Sequence, residues 1–240
     1  MEETYPDLAG SVENVRTRIA EACRRAGRGP EEVRLVAVSK TVPVEAVRLA
    51  RAAGVEDFGE NRAQELAAKA PQVPATWHFL GKLQRGTVRH VADNAAVVHS
   101  AEPGTALDAL AGRAARGGRT IACLIEVDFT PGRQGVAPDE VAAFAEHLAS
   151  SAPAMGSLHL VGLMTIPPQT PDAEGARPYF ARLRQLRDDL RRSLPQAVEL
   201  SMGMSADYEV AVEEGATMVR VGTAVFGPRP SVRRAVGRDR

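Results

Sequence analysis

The sequence predicts an α/β fold, a single-domain (β/α)8 TIM barrel. Three observations carry that expectation. Strand-length apolar runs alternate with amphipathic helical stretches through the whole chain, as in a parallel sheet with crossover helices. Several runs are nearly continuous Val, Leu and Ile, the composition of strands buried on both faces. The 240 residues are close to the roughly 250 that such a barrel fills as one domain.

The elements follow in order. Residues 7–27 read as an opening helix, because Leu8, Val12, Val15, Ile19 and Ala22 recur at helical spacing and Gly27 and Gly29 stop it. Strands are expected at residues 34–39, 57–59, 76–80, 97–99, 120–127, 158–164, 198–200 and 218–221. Between them, helices are expected at residues 44–53, 63–70, 105–115, 139–150, 177–193 and 206–215. The second and seventh strands carry the weakest signal. Eight strand–helix units favour closure into a barrel, although an open doubly wound sheet satisfies the same alternation. No linker, repeat or low-complexity segment divides the chain. Residues 1–228 read as one domain and residues 229–240 as a basic tail with five arginines, an ordinary surface terminus.

Composition removes several function classes. Lys+Arg and Asp+Glu are both 30, so a neutral chain offers no electrostatic case for nucleic acid. Cys23 and Cys123 are far apart and lack neighbours at metal-ligand spacing, which argues against a zinc site or a disulfide framework. The acidic first residues lead into no apolar stretch, and no run is long enough to span a membrane, so a cytoplasmic location is expected. Only three basic residues are lysine: Lys40, Lys69 and Lys82. Arginine holds its proton too tightly to act as an amine nucleophile, so each lysine is of interest.

In a barrel, chemistry collects on the loops after the strands. The first strand ends in Val36-Ala37-Val38-Ser39-Lys40-Thr41. Burial there leaves Lys40 a usable amine for a Schiff base, while the ordinary reading is a lysine reaching into water. Asn61, in Gly59-Glu60-Asn61-Arg62, either meets a ring substituent of a ligand or caps the next helix. Trp77-His78-Phe79-Leu80-Gly81-Lys82 holds the rivals, Lys82 as an amine and His78 as a base or a structural residue.

The last two strands are more informative. Ser201-Met202-Gly203-Met204-Ser205 leads into a helix, and Gly222-Thr223-Ala224-Val225-Phe226-Gly227 follows the eighth strand. Small residues and hydroxyls at helix starts make an anion site, and barrels frequently build one from the loops after strands seven and eight. Ser205 as a plain helix cap and Gly222 as a turn glycine are the alternatives. Arg220 lies within the eighth strand and needs a partner. That partner is either the ring nitrogen of a heteroaromatic cofactor or a carboxylate such as Glu126 or Glu60. A nucleophilic lysine beside a phosphate cup specifies pyridoxal 5′-phosphate (PLP), and an aldolase acting on a sugar phosphate wants the same pair.

These stretches resemble the pyridoxal phosphate homeostasis protein family, also described as alanine racemase N-terminal-like. The match rests on Leu35 to Thr41, Phe58-Gly59-Glu60-Asn61, Trp77 to Gly81, Leu200 to Ser205 and Val219 to Gly227, in order across residues 12–227. The resemblance implies a type III PLP fold with the cofactor at the barrel mouth. By position, Lys40 matches the lysine that carries PLP as a Schiff base. Ser205, Gly222 and Thr223 match the phosphate-binding groups, Arg220 the residue facing the pyridine nitrogen, and Asn61 and Met204 the pocket residues near the ring. Two stretches depart from the family pattern. Leu83-Gln84-Arg85-Gly86 lacks an Asn-Lys pair, and Phe129 to Gly135 carries Arg133 where a lysine is common. Both bear on a secondary PLP site or transfer relay that depends on those lysines, not on the main pocket.

The resemblance implies a PLP-binding protein of intracellular PLP homeostasis that holds and hands on the cofactor without turnover. Its acceptors would be apo PLP-dependent enzymes or amino acids, with no membrane partner, and a monomer is compatible with the family. The alternative is a small amino-acid racemase-like PLP enzyme, which needs a second base opposite the lysine. The tyrosines are Tyr5, Tyr179 and Tyr208, and Tyr208 lies one turn into the helix after the phosphate loop. A PLP-independent aldolase using Lys40 is the third reading.

Overall fold

The computed structural model describes residues 7–130, 132–150 and 155–228. The chain opens with α1 (Leu8–Arg25), whose first turn is capped by Asp7, the side chain accepting from Gly10 N at 2.9 Å. Eight strands follow: β1 (Arg34–Val38), β2 (Asp57–Glu60), β3 (Thr76–Phe79), β4 (Val97–Ala101), β5 (Ile121–Glu126), β6 (Leu158–Met164), β7 (Glu199–Ser201) and β8 (Met218–Val221). The helices between and after them are α2 (Val44–Ala52), α3 (Ala63–Lys69), α4 (Val88–Asn94), α5 (Thr105–Arg116), α6 (Val141–Ser150), α7 (Arg177–Leu190), α8 (Tyr208–Glu213) and α9 (Thr223–Phe226).

All strand pairs are parallel and the sheet closes, β1 pairing with both β2 and β8. This settles the choice that periodicity left open, in favour of a barrel. Each expected strand forms, with ends displaced by at most two residues. Two helices were not expected. α4 has only seven residues, and three buried apolar ones (Val88, Val91, Ala92) give too little periodicity to read. α9 is a single turn. The helix expected at 206–215 is shorter, because Asp207 turns back to accept from Met204 N at 2.6 Å and Gly215 ends it at φ 95°.

Side chains alternate across the wall. Ala37, Phe58 and Trp77 are laterally paired and face the helices, in the main core. Val36, Asp57 and Arg220 are laterally paired and face inward, as are Gly59, His78 and Val97. A small inner plug of Val97, Leu124 and Met164 fills the barrel axis. The helix α1 packs on α2, α8 and α9, and so covers the seam where the last strand meets the first. Among the described residues no helix is long and apolar enough to cross a membrane. The tail at residues 229–240 and Tyr5 lie outside the described residues.

Glycine fixes one close approach in the wall. A Cβ on Gly162 of β6 would stand 2.0 Å from the Glu199 carbonyl oxygen of β7. Backbone cannot yield as a side-chain tip can, so overpacking here costs about 1–3 kcal/mol or more. Gly162→Ala is expected to lower the melting temperature by several degrees, measured by thermal unfolding; an unchanged transition would show that the β6–β7 contact is looser than described.

Candidate functional site

The inward parity of three strands runs past their ends. Val36 and Val38 lead to Lys40, Asp57 and Gly59 to Asn61, and Met218 and Arg220 to Gly222. The strands concerned are neighbours, because closure sets β1 between β8 and β2, with β7 beside β8. Lys40, Asn61, Ser205, Gly222 and Thr223 therefore occupy one continuous arc of the C-terminal rim, with Arg220 below it, two residues before Gly222 in β8. Residues from opposite ends of the sequence share it.

Lys40 is half-buried and sits on a strained turn. Thr41, directly after it, has φ 64°, and it is the only non-glycine residue with positive φ among those described. A left-handed residue with a Cβ costs roughly 1–2 kcal/mol, so its surroundings must hold it there. The rival amine lies elsewhere in character: Lys82 is exposed and pairs with Glu102 at 3.4 Å.

Asn61 does not cap α3. The capping position is Arg62, without a side-chain cap bond, and Asn61 Oδ1 is buried without a hydrogen-bond partner. A buried amide oxygen left in that state is unfavourable by a kcal/mol or more, about 1–3. Its carbonyl is approached so closely by Gly81 that a Cβ there would lie 2.0 Å from Asn61 O. The Asn61 backbone is thus held from behind while its side-chain oxygen awaits a donor.

Ser205 is not a plain cap of α8 either; Asp207 occupies that position. Its hydroxyl instead accepts from Gly222 N at 3.3 Å and Ala224 N at 3.4 Å. Both contacts are long for N–H···O bonds. Two backbone donors at the start of α9 converge on one point beside a hydroxyl. Gly222 has φ −109°, so it is no positive-φ turn glycine. Thr223 begins α9 and is exposed, and Met204 is 37% exposed at the rim. A cleft of about 620 Å³ adjoins this loop, lined by Arg133, Ile166, Gln169, Met204 and Asp207 among others.

Arg220 is 5% exposed and makes no ion pair with Glu126 or Glu60 among the described contacts. Its Nη1 donates to Ser201 Oγ at 2.6 Å and its Nη2 to the Thr165 carbonyl at 2.8 Å. Ser201 Oγ is 2.8 Å from His99 Nδ1, His99 Nε2 is 2.8 Å from His78 Nδ1, and His78 Nε2 is 2.8 Å from Asp57 Oδ1. Because guanidinium only donates, Ser201 accepts from it and donates to His99. One proton on each ring then satisfies every remaining link down to Asp57. Burial holds His99 well below the usual histidine range, which suits a neutral ring. His78 is therefore a structural member of a buried chain, not a base at the mouth. The link from Arg220 through Ser201 to His99 and His78 was not legible in the sequence, since its members lie on different strands.

The titrations sort by sign. Burial pushes the Glu126 carboxyl up to about 7, and pushes Glu60 and Asp207 up as well. Burial lowers Arg220 only to about 10. At neutral pH the Arg220 guanidinium stays charged, while Glu126 lies near its titration midpoint.

Tyr208 belongs to the outer layer. It is 1% exposed, and Arg18 of α1 lies over its ring at 5.7 Å from the centroid. A side chain facing α1 is not opposite Lys40. Tyr179 on α7 packs its ring at 5.8 Å from that of Phe129.

A sequence model described as the alanine racemase N-terminal domain matches residues 11–230. The pyridoxal phosphate homeostasis protein of Aquifex aeolicus is 39% identical over 224 residues, covering 91% of this chain and 96% of that protein. That of Pseudomonas aeruginosa is 40% identical over 227 residues, covering 92% and 96%. The chain belongs to the pyridoxal phosphate homeostasis protein family. Among solved structures, PipY of Synechococcus elongatus PCC7942 with PLP bound superposes with a TM-score of 0.80 at 34% identity, over 92% of this chain and all of PipY. An alanine racemase of Clostridium difficile 630 gives 0.72 at 15% identity, over 95% of this chain and 58% of the racemase, which shows a shared barrel fold alone.

For a pyridoxal phosphate homeostasis protein the rim residues fit the cofactor. The orphaned Asn61 oxygen and the two backbone donors meeting at Ser205 are the features a ring substituent and a phosphate would satisfy.

The Glu126 shift has a pH signature. Its folded value of about 7 exceeds the ordinary 4.5, so the stability it contributes is full below pH 4.5 and is lost as pH rises through 7. Glu126→Gln, which mimics the protonated form, is expected to match wild type in melting temperature near pH 5 and to exceed it increasingly toward pH 8. A difference that stays flat across that range rules the assignment out.

Proposed function

We propose that this chain, with residues 1–228 as the binding unit, holds PLP as a Schiff base on Lys40 and hands it on within the cell. The observation that carries the reading is the placement of Lys40 just past the end of β1, which lies between β2, followed by Asn61, and β8, bearing Arg220. The names of its relatives and the PLP carried by PipY support it.

PLP brings an aldehyde that condenses with an amine, forming one C=N bond and releasing one water. Lys40 supplies the amine. Ser205 and the backbone N–H groups of Gly222 and Ala224 receive the phosphate, with Thr223 beside them at the start of α9. Asn61 and Met204 bound the ring. Arg220 faces the pyridine nitrogen and keeps it unprotonated, because a group that stays charged up to about 10 donates its hydrogen bond and does not surrender its proton. An unprotonated ring is a poor electron sink, which favours storage over turnover. The acceptors of this reading are apo PLP-dependent enzymes and free amino acids, which take the cofactor by exchange of one amine for another. The racemase reading loses its strongest candidate base, since Tyr208 faces α1.

The test is the visible spectrum of the protein mixed with PLP, followed by borohydride reduction and peptide mapping, with Lys40→Ala alongside. A yellow band that borohydride bleaches, with the label fixed on Lys40 and absent from the variant, is expected. Label on Lys82 or scattered amines would overturn the assignment. Amino-acid racemisation that disappears in Lys40→Ala would replace the carrier reading with the enzyme one.

A further inference from the structure

Lys69 is the third lysine, and the mouth chemistry does not use it. It lies on α3, behind the barrel wall, with its side chain 9% exposed. Its ammonium makes three hydrogen bonds: to the Ser39 carbonyl at 2.7 Å, to Glu60 Oε1 at 2.6 Å and to Glu65 Oε2 at 3.1 Å. Three donors meet three acceptors, the full capacity of the group. Glu65, one turn earlier on the same helix, accepts from Thr41 N at 2.7 Å through that same Oε2 atom. Ser39 donates its hydroxyl to Glu60 Oε1 at 2.7 Å, so the acid is shared.

The two backbone groups held in this way are the C=O before Lys40 and the N–H after it. One helix thus grips the chain on both sides of the residue, across the turn where Thr41 adopts φ 64°. The parity of the wall separates the parts. Ser39 and Glu60 share the outward-facing parity of Ala37 and Phe58, toward α3, while Lys40 continues the inward series to the mouth. The grip also explains the choice of residue. Elsewhere this chain uses arginine for nearly every cation, but a planar fork cannot place three donors on acceptors arranged around one point, and a compact ammonium can.

We propose that Lys69 and Glu65 are positioning residues for Lys40: they hold the left-handed turn at Thr41 so that the Lys40 amine is presented to PLP in one orientation. The inference rests on Lys40 as the reacting amine. Neither residue touches the cofactor, and both act through the backbone.

The experiment compares wild type with Glu65→Ala, Glu65→Gln and Lys69→Arg, all prepared without PLP. The glutamate is the main target, because it is partly exposed, whereas a Lys69 truncation would strand Glu60 in the wall. Three quantities are read: the melting temperature, the hydrogen–deuterium exchange of the peptide spanning Thr41, and the rate at which the borohydride-trapped PLP label appears on Lys40. Glu65→Ala is expected to speed exchange at Thr41 and to slow labelling about tenfold, since small misplacements of a reacting group carry effects of that order and above. Glu65→Gln keeps an acceptor for Thr41 N–H and is expected to recover most of the rate. Lys69→Arg is expected to remain slow, because it keeps the charge and loses the three-way geometry. A folded Glu65→Ala that labels Lys40 at the wild-type rate overturns the proposal. So does a Gln variant as slow as the Ala variant at equal melting temperature. If wild type itself carries no label on Lys40, the failure lies with the parent reading and is recognised as such.

Discussion

Closure of the sheet is the constraint from which the site follows. The hydrogen bonds between β1 and β8 join residues some 180 positions apart, Val36 beside Arg220 and Ala37 beside Val221. With that ladder formed, the lysine at the end of β1 lies between Asn61, past β2, and the small-residue loops after β7 and β8. Without it, the same residues would stand at opposite edges of an open sheet. The seam is covered by α1, whose buried face of Leu8, Val12, Val15 and Ile19 packs toward α2, α8 and α9. The first helix is thus part of what holds the site together, although it contributes no residue to it.

A closed barrel with polar inward residues must satisfy them internally, because water does not reach the axis. The solution is a single chain of donors from Arg220 through Ser201, His99 and His78 to Asp57. Its direction is set at one end, since arginine can only donate and the carboxylate of Asp57 can only accept. Each link fixes the tautomer of the next. The guanidinium that the proposed function places against the ring nitrogen is therefore oriented by residues on four strands, none of which reaches the mouth. A polar network of this kind rigidifies where it is complete, and here every member has its partner.

The strands were legible because buried parallel strands are apolar nearly throughout; counting eight favoured a barrel, and only the closure excludes an open sheet. The candidate site was legible where its chemistry is written in local motifs: Lys40 after an apolar strand, and hydroxyls with glycines after the last two. What periodicity missed was short or shared between elements. α4 and α9 bury too few residues to show a period. Asn61 and Ser205 each had an ordinary reading as a helix cap, and only the coordinates show the caps at Arg62 and Asp207 instead. Lys69 could not be told from any surface lysine on an amphipathic helix, because its three acceptors come from two strand ends and its own helix.

The balance of charge at the mouth gives a physical reason for an anionic ligand. Burial acts on acids and bases with opposite consequences near neutral pH. Glu126 is raised by it to about 7, so the negative charge it offers is reduced. Arg220 is lowered only to about 10 and keeps its charge in full, held by a hydroxyl and a carbonyl that carry no formal charge. Arg220 therefore keeps its charge where Glu126 carries only part of its own. A neutral sugar would gain little there. In the proposed function, a ligand with a phosphate and an accepting ring nitrogen meets both the backbone donors at Ser205 and the Arg220 guanidinium.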